Sequence, residues 1–234
     1  MMMEIRKATK LRHTREGVLL VVILLVFATL WGQSVFADQD SSILFSWAFV
    51  YQGKDEITKP IEYNKSVVPL ESGDKLKIYL KPLNACHFYL YLHDSQKNLY
   101  LLFPEDFTFF DEKVQVTRKY DLPEGNSWFY LDDNGGIEVF YLIVSEQRLW
   151  NLEESTNRYL QRNAKQRNLQ NITYKHGVLD EIKRIIKENS YLSDAAEKPI
   201  AVAGDFRGIR EELELNGVSI EATDIYVKTI RLEH

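Results

Sequence analysis

The stretch Gly73–Pro104, GDKLKIYLKPLNACHFYLYLHDSQKNLYLLFP, decides the fold. It holds three apolar runs, Leu76–Leu80, Phe88–Leu92 and Leu99–Phe103, separated by turn-forming residues. In the first run Leu76, Ile78 and Leu80 alternate with Lys75, Lys77, Tyr79 and Lys81, the period of a strand with one buried and one solvated face. Pro82-Leu83-Asn84 breaks it, because proline cannot continue a paired strand and asparagine favours turns. In the second run Cys86, Phe88, Leu90 and Leu92 point one way and His87, Tyr89, Tyr91 and His93 the other, so both faces are covered by apolar or aromatic groups. Asp94–Asn98 closes a hairpin onto Leu99–Phe103, and Pro104 ends it. The expectation is an antiparallel meander of three strands.

Working outward, Ser41–Gln52 reads as a strand apolar on both faces, and Gly53–Lys65 as a charged connection. Ser66–Leu70 suits a short edge, since Pro69 tolerates only an edge position. The Phe-rich loop Glu105–Glu112 is expected to fold back over the core. Val114–Tyr120, Ser127–Leu131 and Ile137–Ser145 read as further strands, with turns at Asp121–Gly125 and Asp132–Gly136. About eight strands at short spacing predict a mainly β protein, an antiparallel sandwich or barrel-like domain.

The period then changes. Glu146–Ala164 reads as a helix with Leu149, Leu152, Tyr159 and Leu160 on one side, Ser145 as its N-cap and Glu154–Arg158 as an i,i+4 pair. Tyr174–Asn189 reads as a second, with Val178, Ile182, Ile185 and Ile186 on the apolar stripe and Lys183, Arg184 and Lys187 outside. Ala201–Gly208 is an extended piece and turn, and Thr223–Leu232 alternates as a strand returning to the sheet. The expected architecture is α+β: a β core over 43–145, a helical insertion over 146–192 before the last strand, and a closing strand over 222–233, all in one domain over 38–234.

Gly73-Asp74, then Phe88-Tyr-Leu-Tyr-Leu92, a polar turn and Leu102-Phe103-Pro104 resemble the exported bacterial domain of unknown function 4384. Gly136–Ser145 is similar to that family's closing strand. The resemblance covers roughly Ile43 to Ser145. It implies a β-rich extracytoplasmic module, often joined to other domains, with no established catalytic residues.

The N-terminus is consistent with export. Arg6, Lys7, Lys10, Arg12 and Arg15 precede the apolar run Val18–Trp31, and Val35-Phe36-Ala37 precedes Asp38. A basic segment, an apolar segment and a small residue at the boundary make residues 1–37 a secretory signal peptide cleaved after Ala37, or a retained anchor spanning the membrane over Val18–Phe36. Either places the remainder outside the cytoplasm, periplasmic or at the cell surface, with membrane contact only through this segment. A lipoprotein and an intramolecular disulfide are both excluded by a single cysteine, Cys86, which reads as a small buried hydrophobe.

The first 37 residues carry five of the 29 basic and two of the 34 acidic side chains, which leaves 24 basic against 32 acidic and a net charge near −8 beyond them. That balance argues against nucleic acid as a partner. His87 and His93 lie about 20 Å apart along a strand, too far to share a metal ion, and no cofactor motif is present. Asp132–Gly136 lacks the spacing of a calcium loop. Ser145, His176 and Asp180 or Asp205 form the only arrangement suggestive of a hydrolase, without a Gly-x-Ser-x-Gly elbow. Gly204–Gly208 lacks the lysine of a phosphate loop and reads as a tight turn with Arg207 in an ion pair. The expected function is therefore non-catalytic, an exported module binding another envelope protein. The alternatives are a sandwich binding glycan or peptidoglycan, and a hydrolase. The candidate interaction surface is Tyr89, Tyr91, Lys183, Arg184 and Lys187.

Overall fold

Residues 42–52 alternate so that Ile43, Phe45, Trp47 and Phe49 enter one core, while Ala48 and Val50 on the other face form a small cluster with Tyr79, covered by Trp128. The computed structural model describes residues 42–62, 64–111, 116–163, 170–189, 196–203 and 214–234. In it, β1 (Ser42–Gln52) lies between β11 (Glu214–Thr223) and β4 (Lys75–Pro82), antiparallel to both. The first sheet runs in the order β10 (Ala196–Ala203), β11, β1, β4 and β7 (Tyr120–Leu122). Two short strands extend it, β2 (Thr58–Pro60) on β1 and β8 (Phe129–Tyr130) on β4. The second sheet runs in the order β3 (Val68–Pro69), β12 (Ile225–Glu233), β9 (Ile137–Ser145), β5 (His87–His93) and β6 (Leu99–Phe103). Its one parallel pairing is β3 with β12, which puts Pro69 on an edge strand as expected.

The sheets face each other across one hydrophobic core. Phe45, Trp47 and Phe49 of β1 and Ile78 and Leu80 of β4 meet Phe88 and Leu90 of β5 and Phe140 and Leu142 of β9. Phe45 sits edge-on to Phe88 at 5.4 Å and Phe49 to Phe140 at 5.5 Å, the orientation the ring quadrupoles favour. A second core lies on the other side of the second sheet. There Tyr89, Tyr91, Ile143 and Ile225 are covered by α1 (Trp150–Asn163), α2 (Gln170–Glu188) and a 3₁₀ turn at Phe107–Asp111. The apolar stripe of α2, Val178, Leu179, Ile182 and Ile185, has the spacing of one helix face. The layers are thus sheet, sheet and helices, mainly β with two helices, an open sandwich and not a closed barrel.

The expected three-strand meander is split between the two sheets. β5 and β6 pair as a hairpin, but β4 belongs to the first sheet. The chain crosses over at Pro82–Cys86, where the Asn84 side chain accepts from Leu44 N–H at 2.9 Å and donates to the Ser42 carbonyl at 2.5 Å. That grip ties the crossover to β1 and prevents a tight turn. The described residues hold twelve strands, and the helices precede the last three of them. β10 and β11 escaped the sequence reading, and β2 lies within the segment read as a charged connection. Of the strand expected over Val114–Tyr120, residues 114 and 115 lie outside the described residues, Val116 and Thr117 lie in a turn, and β7 begins at Tyr120. Lys77, expected on a solvated face, is only 4% exposed. Its ammonium donates to the carbonyls of Gly125 and Ser127 and lies 5.8 Å from the Trp128 ring, while burial pushes its pKa down.

β12 fills the gap between β9 and β3, and His234 and Gly136 exchange backbone hydrogen bonds at 2.8 and 3.1 Å. Gly136 has φ +155°, and a β-carbon there would stand 2.8 Å from Ser95 Cβ, so only glycine fits. Residues Asp40–His234 form one compact unit. The signal or anchor expected over 1–37, Asp205 and the turn at Gly204–Gly208 lie outside the described residues.

Leu90→Ala, at the centre of the buried strand β5, is expected to cost about 2–5 kcal/mol in denaturant unfolding. Deleting Thr223–His234 is expected to abolish the cooperative transition and the near-UV circular dichroism of the whole sandwich, because it removes the strand that covers one edge of β9. A truncated chain that kept its melting temperature would show β12 to be dispensable.

Candidate functional site

Three places gather polar side chains, and their geometry separates structural from available chemistry. The first lies between the second sheet and α1. Tyr89 is fully buried and its hydroxyl donates to Glu153 Oε1 at 2.6 Å while accepting the Leu149 N–H at 2.9 Å. Glu153 is itself 3% exposed and is clasped by Arg148, Nε at 3.1 Å to Oε1 and Nη2 at 2.5 Å to Oε2. Arg148 also reaches Asp111 at 2.6 Å and the Phe107 carbonyl at 3.2 Å, and stacks 4.1 Å from the exposed Trp150 ring. Tyr91 OH meets Thr156 Oγ1 at 2.9 Å, and Thr156 donates on to the Leu152 carbonyl. Burial, reinforced by Glu153, pushes the Tyr89 pKa well up, and burial does the same to Tyr91.

These contacts correct the sequence reading. Tyr89 and Tyr91 do not form an exposed stacking surface; they are the bed on which the helices rest. Ser145 does not cap α1. It ends β9, opposite His87 and Ile225, and the helix begins at Trp150. The Tyr89 hydroxyl takes the preceding Leu149 N–H instead. Glu153 and Arg148 were missed. The available signal was a carboxylate falling on the same stripe as Leu149, Leu152, Thr156 and Tyr159.

The second place is the outer face of α2. Lys183, Arg184 and Lys187 are exposed as expected. Lys183 pairs with Asp180 at 3.4 Å, and Arg184 with Glu181 at 2.5 Å and with Glu188. The Glu181 and Glu188 bonds push the Arg184 pKa up. Within-helix pairs neutralise much of this face, so it presents mixed charge and no basic field.

The Ser145–His176 arrangement is not assembled. Ser145 lies opposite His87 at one end of β5, whereas Lys175, next to His176, donates to the Lys97 carbonyl in the hairpin beyond His93 at the other end. Six strand residues put these ends about 20 Å apart. Asp180 pairs with Lys183 at 3.4 Å on the exposed face of α2. Cys86 is buried, and burial pushes its thiol up to about 12. Asp132 accepts the Asn134 N–H at 2.8 Å, as in a turn closed by its own side chain.

The third place is an open cleft of about 450 Å³ at the end of β1 and β3. Tyr51, Pro69 and Leu70 give it apolar wall, and Lys54, Lys59, Asp55, Glu71 and Asp74 its charge. Asp74 is 6% exposed, and its Oδ2 accepts the Glu71 N–H at 3.0 Å. In the sequence Gly73-Asp74 stands out only as the opening of the family resemblance.

Fold and site define an open β-sandwich module with a helical layer latched to one sheet. Residues 70–148 match the family described as Domain of unknown function (DUF4384), as the resemblance implied. The matched span takes in β4 to β9, Asp74, Tyr89 and Arg148; β1, both helices and the last three strands lie outside it. It begins later than the Ile43 expected from the sequence. No curated protein and no solved structure matches the chain.

Glu153→Ala is expected to destabilise the chain by about 3–5 kcal/mol, because it leaves the inward-facing Arg148 without its main partner. Tyr89→Phe is expected to cost about 2–3 kcal/mol by urea unfolding, because the buried Glu153 carboxylate and the Leu149 N–H both lose this partner. Cys86 is expected to resist a thiol reagent at neutral pH and react only on unfolding. Its raised pKa stabilises the fold fully below the ordinary value of 9.0, and that contribution is lost as pH rises through about 12. A native chain that reacts rapidly at pH 7 would place the thiol at the surface.

Proposed function

We propose that the chain is a non-catalytic exported module that binds another protein of the cell envelope. The observation that carries this is the register: Ser145 stands opposite His87 at one end of β5, and Lys175, the neighbour of His176, reaches the Lys97 carbonyl beyond the other. The side chains nearest to a hydrolase constellation sit at opposite ends of β5. The buried ionisable network of Glu153, Arg148 and Tyr89 is closed on itself and holds the helices down. What faces outward is mixed charge on α2 and an open cleft, surfaces suited to recognition.

Export is supported by the basic, then apolar, then small-residue order of residues 1–37. Among the described residues no helix is long and apolar enough to cross a membrane. For the glycan-binding alternative Tyr89 and Tyr91 offer no stacking face, because both are buried.

The purified chain is expected to turn over nothing in a panel of ester, glycoside, peptide and phosphate substrates. Turnover that His176→Ala or Ser145→Ala abolishes, with the melting temperature unchanged, would overturn the binding reading and restore the hydrolase.

A further inference from the structure

The cleft beside β1 is charged unevenly. Lys54 pairs with Glu71 at 2.9 Å and Lys59 with Asp55 at 2.5 Å. Asp74 is then left over, a third carboxylate against two ammonium groups. It is also the buried one. Its Oδ2 accepts the Glu71 N–H, and its Oδ1 lies 3.4 Å from the position a β-carbon on Gly53 would take. Among the described residues no hydrogen bond reaches that second oxygen. Both lysines feel the Asp74 charge, which helps to raise their pKa values, yet each donates to another carboxylate. That oxygen has no donor among the described residues and opens on the cleft, so a charged donor arriving there replaces water with a charge-assisted hydrogen bond.

The cleft also says what kind of donor. A neutral hydroxyl would satisfy Oδ1 and leave the excess negative charge in place. A cation satisfies both. Tyr51, Pro69 and Leu70 line the approach with apolar surface, which suits the aliphatic stem that carries a basic head group. The Lys54–Glu71 pair across the rim is 82% and 71% exposed, so it contributes little and opens easily. Once Lys54 swings away, Glu71 joins Asp74 as a second acceptor. We propose that this cleft receives a basic side chain, arginine or lysine, of a partner polypeptide, with Asp74 as the recognition carboxylate and Lys54 as the internal cation it displaces. The proposal deepens the protein-binding reading and rests on it for the polypeptide nature of the ligand.

The test is a titration of the ¹⁵N-labelled full-length chain with the peptide acetyl-Ala-Arg-Ala-amide, followed at the Gly53 and Gly73 amides. The same peptide with citrulline for arginine keeps the shape and removes the charge; chitotriose serves as a glycan probe. Saturable shifts with the arginine peptide and none with citrulline are expected. Asp74→Asn should weaken binding about 10- to 100-fold, the loss typical of a hydrogen bond to a charged group. Lys54→Ala, at an exposed position, should tighten it. Equal binding of the citrulline peptide, unchanged binding by Asp74→Asn, looser binding by Lys54→Ala, saturation by chitotriose in place of the arginine peptide, or no saturable shift at all would each overturn the proposal. The arginine–citrulline comparison uses the unaltered chain, so it decides even if Asp74→Asn fails to fold. An envelope partner retained equally by wild type and Asp74→Asn would overturn the cleft and leave the protein-binding reading standing. Arginine-peptide binding by a chain with no protein partner would do the reverse.

Discussion

One strand serves two cores, and the rest of the structure depends on it. Alternate residues of β5 point to opposite faces, so Phe88 and Leu90 close the space between the sheets while Tyr89 and Tyr91 close the space beneath the helices. A shift of one residue would drive two tyrosine hydroxyls into the inter-sheet core and leave two apolar side chains facing polar helix residues. The register is therefore fixed by both layers at once. The pairing of His87 with Ser145 and of His93 with Val139 along β9 expresses that double constraint.

The helical layer is attached by different physics from the sandwich. The two sheets meet through aliphatic and aromatic side chains, which is non-directional and tolerant of small repacking. Three tyrosine hydroxyls, two from β5 and one from α1, supplement the apolar stripes: Tyr89 to Glu153, Tyr91 to Thr156 and Tyr159 to the Leu99 carbonyl at 3.0 Å. Such bonds add little net energy, but leaving any one unmade under a buried layer is costly, so they select a single docking position. Arg148 extends the same network to the 3₁₀ turn through Asp111 and the Phe107 carbonyl. Strand, turn and helix thus share one polar node.

The sequence made the sandwich legible because the apolar runs are long and bounded by turn residues: residues 42–52, Phe88–Leu92 and Ile137–Ser145 all become strands. The two helices and the closing strand were legible from their period. Sheet assignment was not. Pro82–Asn84 reads as a turn, and only the tie from Asn84 to Ser42 and Leu44, some forty residues away, turns it into a crossover. β11 was missed because Asn216-Gly217 and Glu221 interrupt its apolar pattern, while its partner β1 supplies the pairing that makes it a strand. Tyr89 and Tyr91 were legible as one face of a strand, but whether water or a helix covers that face is decided by residues sixty positions later. The cleft was illegible for the same reason. Asp74 gains its meaning from Gly53 and Glu71, which only the fold brings beside it.

The central place of β1 has a mechanical consequence. From Ser42 the strand is paired to β11 along Ser42–Trp47 and, from Phe45 on, to β4 along Phe45–Gln52. Ladder bonds lie across the strand direction. A pull on the chain ahead of Ser42, directed along β1, would therefore load the bonds of both ladders together in shear and would not open them one after another like a zipper. The first strand is placed where a tether would meet the greatest resistance the sheet offers.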